Sequence, residues 1–284
     1  MKDYFMSDVL VEQGGFLQGK EMKSRKIRIN NPDNDRPINI FIGTAVILSI
    51  ISIFMLNIDW IMLFSRVGEL AGVFIELSQF NFTNFDLVAV AFMESVTVTL
   101  LATLYSLVGG LLMGAFMARN ITPSKKLAGV LSSYNSFIRA VPTPIWVLLI
   151  IACLGFGPAP GIIGLSFHAT AFFARAFSQA FEEVPQATIE ALQATGANRI
   201  QIFFSAVLPA SMTALIAWSA MRFEINFSES TILGMVGGGG IGYSIAASVT
   251  GYNFGRAGIS ILMVFVFAYC LEIMFTAIKR RMKA

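Results

Sequence analysis

Charge is what this chain has least of. Asp, Glu, Lys and Arg make up 13% of its 284 residues, about half the ~25% of a soluble domain. The few charges are gathered in short islands between long apolar runs, which excludes a water-facing surface for most of the chain and points to lipid as its solvent. Histidine occurs once, as His168, and cysteine twice, as Cys153 and Cys270, so no Cys/His metal site is expected. Both cysteines lie in apolar runs and are read as buried small hydrophobes rather than a disulfide pair. No glycine-rich stretch ends in Gly-Lys-Ser or Gly-Lys-Thr, so nucleotide binding by a P-loop within this chain is unsupported. The first apolar run is too long for a signal-peptide core and has no small-residue cleavage site, so an uncleaved anchor is expected.

What fills the space left by charge is hydrocarbon. Hydrophobic residues reach 56%, including 26 Phe and 14 Met, and mean hydropathy is +0.71. A spanning helix needs about 20 mostly apolar residues, and six segments qualify: 38–58, 94–117, 140–157, 160–180, 207–226 and 257–278. The fourth, which contains His168 and Arg175, is the least apolar. Residues 59–90 are amphipathic and are expected as one or two helices lying at the interface, with Trp60 near the aromatic belt.

The net charge of +3 orients such a chain rather than binding nucleic acid. Basic residues cluster in the N-terminal tail (Lys20, Lys23, Arg25, Lys26, Arg28), near Arg119, Lys125 and Lys126, at Arg199, and at the C-terminus (Lys279, Arg280, Arg281, Lys283). The alternate loops are poor in them. The positive-inside rule then puts both termini in the cytoplasm. The expected fold is an all-α integral membrane protein with six transmembrane helices, an amphipathic interfacial segment and a cytoplasmic helix between the fourth and fifth spans. Residues 1–37 are expected as a cytoplasmic tail and 38–284 as the transmembrane domain.

That cytoplasmic helix, at about 183–204, is unusually polar, with Glu190, Gln193, Asn198, Arg199 and Gln201. Pro185 suits a first helical turn, and Pro209 is expected to end or kink a helix where the chain re-enters the membrane. Ala191, Ala194 and Gly196 would let another backbone approach, and Phe203 and Phe204 could anchor the segment in a partner's groove.

The spacing of Glu190-Ala191, Gly196 and Leu208-Pro209 resembles the coupling-loop signature of bacterial ABC importer permeases, in which Glu-Ala-Ala, three residues, Gly, nine residues, Ile, one residue and Leu-Pro follow without gaps. The chain departs at Leu192 and Ala206. FEINFSESTILGMVGGGGIG (223–242), the stretch 92–124 and the stretch 139–168 are similar to segments of the phosphonate-type permeases. The resemblance covers roughly residues 59–278. It implies pairing with a second copy or a paralogous permease, two ATPase subunits docking on 183–204 with ATP and Mg on those subunits, and an extracytoplasmic binding protein that delivers a phosphonate, phosphite or phosphate. It implies no enzymatic site and no cofactor in this chain. The arginine that usually follows the Phe-Glu-x-Asn element is missing, since Phe227 and Ser228 follow Asn226, so a substrate role for it does not transfer. Methionine or glycine-betaine permeases share the loop pattern and are the alternative, as is, in another class, an ion-coupled secondary transporter. Only Glu272 is a possible mid-span acid for the latter.

Candidate pathway residues are His168, an intramembrane ionisable group; Arg222 and Asn226, which share a helix face; Glu224; and Gly237 and Gly239 in GMVGGGGIG. That glycine run has dinucleotide-loop spacing but follows a span rather than a strand, so it is read as a re-entrant turn or tight packing. Glu94, Arg139, Arg175, Arg222 and Glu224 are placed near span ends as anchors or ion-pair members. Thr97, Thr99 and Thr103 are expected to bond between helices, with Gly109, Gly110 and Gly114 permitting close approach.

Overall fold

The computed structural model describes residues 32–56 and 58–283; the tail expected over 1–37 lies outside them up to residue 31. Every regular element among the described residues is helical: α1 (Pro32–Met55), α2 (Trp60–Ser78), α3 (Phe85–Met117), α4 (Lys125–Ala140), α5 (Thr143–Leu154), α6 (Pro158–Glu182), α7 (Gln186–Ala194), α8 (Arg199–Ile202), α9 (Leu208–Leu233), α10 (Ile241–Thr250) and α11 (Phe254–Lys283). Two π-helical turns, Phe203–Val207 and Gly234–Gly238, flank α9. Packing divides the chain into two units, Met1–Ser65 and Arg66–Ala284. In the first, the side chains from Arg36 to Met55 are all exposed, as suits a helix whose apolar surface meets lipid.

In the second unit α3 and α6 form the centre, and glycine explains how closely they meet. A Cβ on Gly110 would strike Phe173, and one on Gly114 would lie 3.0 Å from Phe177 Cβ. Small residues let the two backbones approach, and close packing replaces the hydrophobic drive that lipid removes. Phe173, Phe177 and Phe181 of α6 are fully buried there with Ala118, Val207 and Leu215. A second cluster joins Val98, Val147, Ile151, Leu165 and Leu233; a third joins Val88, Ile241, Ile245 and Ile259.

Four helices among the described residues are long and apolar enough to cross a membrane: Arg36–Met55, Phe85–Met117, the continuous helix Arg199–Gly238 and Phe254–Arg281. Three expectations change. The segment 140–157 holds only the twelve-residue helix α5, short of the roughly 20 residues a span needs, and α4 meets it at 87°, because Val141 precedes Pro142 and is held extended. The second span begins at Phe85 rather than residue 94, taking the end of the supposed interfacial segment into a helix about 50 Å long. The fourth, least apolar segment is α6, whose small and aromatic residues are buried by neighbouring helices; facing protein instead of lipid, it needs less hydrophobicity. Cys153 and Cys270, expected to be buried, are free and exposed.

Candidate functional site

The polar segment between α6 and α9 folds as a helix pair whose turns are specified residue by residue. Pro185 stands at the N-cap of α7 in extended conformation, one position before the expected first turn. The helix ends at Ala194 with Thr195 as its C-cap, and Gly196 follows with φ +85°, in the left-handed region that disfavours a side chain. Gly196 N–H donates to the Gln193 carbonyl (2.9 Å) and Ala197 N–H to the Leu192 carbonyl (3.2 Å), the two bonds of a glycine-terminated helix end. A Cβ on Gly196 would meet nothing within 4 Å, so backbone conformation alone requires glycine there. Asn198 then caps α8: Gln201 N–H donates to Asn198 Oδ1 (2.9 Å), and Asn198 N–H to Gln201 Oε1 (2.8 Å). Those two amide side chains are a reciprocal capping box. Its signal, Asn-x-x-Gln, is legible in the sequence and is missing from the expectations above.

The pair is tied to the membrane core by two side chains. Ile189 of α7 and Ile202 of α8 are each 1% exposed and belong to the same apolar cluster as Phe177 and Phe181. Glu190 and Ala191 stay exposed on the opposite side. Of the two supposed groove anchors only Phe204 is exposed; Phe203 packs against Phe181, with ring centroids 5.3 Å apart. The expected break at Leu208-Pro209 does not occur. Pro209 sits in the first turn of α9, and the turn before it widens to π, with Leu208 N–H donating to the Phe203 carbonyl. Proline has no N–H, and its ring crowds the carbonyl four residues earlier; the wider turn accommodates it within an unbroken helix.

A polar cluster lies deeper, between α3, α6 and α9. Arg222 is 3% exposed and lies along α9, not at a span end as expected. Its Nη2 donates to Glu229 Oε2 at 3.0 Å and lies 3.5 Å from His168 Nδ1. The guanidinium carbon stands 5.4 Å from the Phe172 ring centroid. One turn on, Asn226 Nδ2 donates to Thr103 Oγ1 (2.9 Å), and Thr99 Oγ1 donates to Ser230 Oγ (3.1 Å). Thr97 instead bonds within its own helix, to the Met93 carbonyl. Arg222 Nε and Asn226 Oδ1 are buried without a partner. The fold thus brings His168, Arg222 and Asn226 into one interior region and adds Glu229, which sequence reasoning missed although seven residues place it on the Arg222 face. Glu224 is half-buried, and its side chain makes no ion pair among the described residues.

Gly237 and Gly239 belong to a different place, the turn from α9 into α10. Gly237 (φ +107°) packs on Phe156, and a Cβ on Gly239 (φ +77°) would lie 2.7 Å from Glu94 Oε1. Ile241 N–H, next to the turn, donates to Ser95 Oγ at 2.9 Å. The glycine run therefore serves close backbone packing against α3 and the start of α6.

A bundle of this kind, with apolar outer faces and long apolar helices, defines a multi-pass membrane protein. Residues 110–284 match the family described as "Binding-protein-dependent transport system inner membrane component", and the chain belongs to that family. It is 32% identical over 246 residues to the phosphate-import permease protein PhnE of Mycolicibacterium smegmatis, covering 86% of this chain but only 46% of that relative, so it spans about half the relative's length. It is 30% identical to the phosphite transport system permease protein PtxC of Stutzerimonas stutzeri, over 66% of this chain and 68% of PtxC. A solved structure of the MetNI methionine ABC transporter in inward-facing conformations shares the fold, with TM-score 0.64 and 23% identity over 71% of this chain and 99% of that one.

Proposed function

We propose that the chain is the membrane-spanning permease subunit of an ATP-driven importer for phosphonate or a related phosphorus oxyanion, with six spans and both termini cytoplasmic. The observation that carries this reading is the α7–α8 pair. Glu190, Ala191 and Gly196 lie on a short exposed lever, and Ile189 and Ile202 root that lever in the core. Force applied to α7 reaches α9 through a continuous helix past Leu208 and Pro209. On this reading two ATPase subunits, carrying ATP and Mg, dock on the lever. A second copy or a paralogous permease completes the pathway, and a binding protein supplies the solute from outside.

His168, Arg222 and Asn226 are the interior polar groups best suited to an oxyanion, because Arg and Asn donate N–H bonds. Arg222 is already held by Glu229, so a role in passage requires that pair to open. Glu224, Gly237 and Gly239 remain pathway candidates of the same proposal. The substrate class rests on similarity to PhnE and PtxC; methionine and glycine betaine are the alternatives within the same class of importer.

The test is purification of the tagged chain from its native membrane, followed by assay of ATP hydrolysis with phosphonate, phosphite, phosphate, methionine or glycine betaine and the cognate binding protein. A co-purifying ATPase stimulated by a loaded phosphorus-oxyanion binding protein supports the reading. A chain that comes out alone and moves solute in liposomes on an ion gradient would be a secondary transporter instead.

A further inference from the structure

Beside the lever is a cavity of about 270 Å³ between the α3–α4 connection and the α7–α8 pair. Three cations line it: Arg119 from the connection, Lys125 from the first turn of α4 and Arg199 from α8. We propose that this cavity binds a phosphate group, and that the bound group braces the lever against the connection. The inference rests on the transporter reading only in placing the cavity at the cytoplasmic face, where phosphate esters, free phosphate and lipid headgroups all occur.

The charge balance points to an anion. Among the described residues the one ion pair is Arg222–Glu229, which leaves Arg119, Lys125 and Arg199 without carboxylate partners. The acid nearest the connection, Glu182, accepts the backbone N–H of Arg119 at 2.8 Å and does not line the cavity. Arg199 Nη1 donates to the Thr122 carbonyl at 2.7 Å, which fixes the guanidinium at the cavity wall and leaves its other N–H donors available. The sixteen-residue helix α4 begins at the rim with no side-chain cap and no acid in its first turn, so its dipole adds positive potential there.

The donor geometry points to phosphate rather than a carboxylate. Residues carrying two guanidinium groups and an ammonium line the cavity from elements nearly eighty residues apart in sequence, and a tetrahedral group of charge about −2 offers acceptors to all of them, whereas a planar carboxylate offers two oxygens. The apolar floor, Ile189 and Ile202, is the pair that roots the lever. A ligand here would therefore join α8 to the connection more firmly than the single Arg199–Thr122 bond does.

The experiment follows amide exchange over residues 186–202 in the full chain, held in phosphatidylcholine nanodiscs, as inorganic phosphate replaces chloride at constant ionic strength. Saturable slowing is expected, and the exposed-residue double variant Arg119→Gln/Lys125→Gln should raise the half-saturating phosphate concentration about tenfold or more. If slowing appears only when phosphatidylglycerol replaces phosphatidylcholine, and the double variant removes it, the same site takes its phosphate group from lipid. No slowing in either disc, or slowing that the double variant leaves unchanged, overturns the proposal. Phosphate bound near Arg222 would instead slow exchange in α6 and α9 and be indifferent to the double variant. Because the isolated chain is measured, the result is independent of whether an ATPase co-purifies.

Discussion

The two π-helical turns at the ends of α9 are built from opposite materials, and only the second kinks, at Gly237 with φ +107°. The first, Phe203–Val207, is made of ordinary side chains, precedes Pro209, and is held by Val207 and Phe203 packing into the aromatic cluster around Phe181. The second, Gly234–Gly238, is made mainly of glycine and is followed by Gly239 and Gly240, both at positive φ. One turn is stabilised by the side chains it has. The other exists because of the side chains it lacks, since backbone from α9, α10 and α6 meets where a Cβ would stand. The lever end can therefore lose a contact and survive, whereas the glycine end has little tolerance for any added atom.

Substitutions should separate the two ends in a definite order. The largest effect is expected at the glycine turn. In Gly242→Val the new Cβ would strike the Thr231 carbonyl, a backbone atom that cannot rotate away. Overpacking of this kind costs about 3 kcal/mol or more, and the variant should elute from size exclusion in detergent as aggregate rather than as a single species. Recovery equal to wild type would end the claim that the turn is sterically closed.

Next comes the root of the lever. Ile202→Ala removes a fully buried side chain and should cost about 2–4 kcal/mol. Because α8 is at the periphery of the core, the loss should show as faster amide exchange over 186–202 while α3 and α6 keep their protection. Uniform acceleration across the bundle would mean that the lever is not a separable unit.

Smaller effects are expected at Gly196. Gly196→Ala meets no neighbour and carries only the cost of φ +85°, about 1 kcal/mol, visible as a drop of a few degrees in melting temperature. A bulky side chain at the same position should insert in the membrane normally and yet uncouple ATP hydrolysis from uptake, because the exposed face of the lever is where a partner would seat. Normal coupled transport by Gly196→Trp would remove the lever account. The smallest effect belongs to Asn198→Ala, which breaks the capping box for about 1 kcal/mol or less and should fray α8 without altering the glycine turn.

Much of the fold is legible in the order of residues alone. The apolar runs mark α1, α3, α9 and α11, because a residue facing lipid must be apolar wherever it occurs. The spacing from Glu190 to Pro209 locates the lever, because its turns are local: Gly196 supplies a positive φ and Asn198 a cap, each within four residues of its partner. The glycines at 110 and 114 announce a close helix contact. Other features are hidden for an equally physical reason. The shortness of α5 and its sharp bend from α4 stay hidden because hydropathy registers neither direction nor helix ends, although Pro142 is in view. The fate of Pro209 depends on whether the helix can widen, which is decided by Phe203 packing on Phe181. Glu229 reads as one more acid until the fold sets it 3.0 Å from a buried arginine.

The sequence by itself determined that this is a helical membrane protein with a polar break of specific spacing, since solvent preference, turn chemistry and capping act over a few residues. Only the tertiary structure decided that α6 is the buried centre, that Arg222 is paired with Glu229 beside His168, and that Arg119, Lys125 and Arg199 face one cavity. Those are encounters between residues seven to eighty positions apart, and their energies depend on distance and burial, which a linear order of residues does not contain.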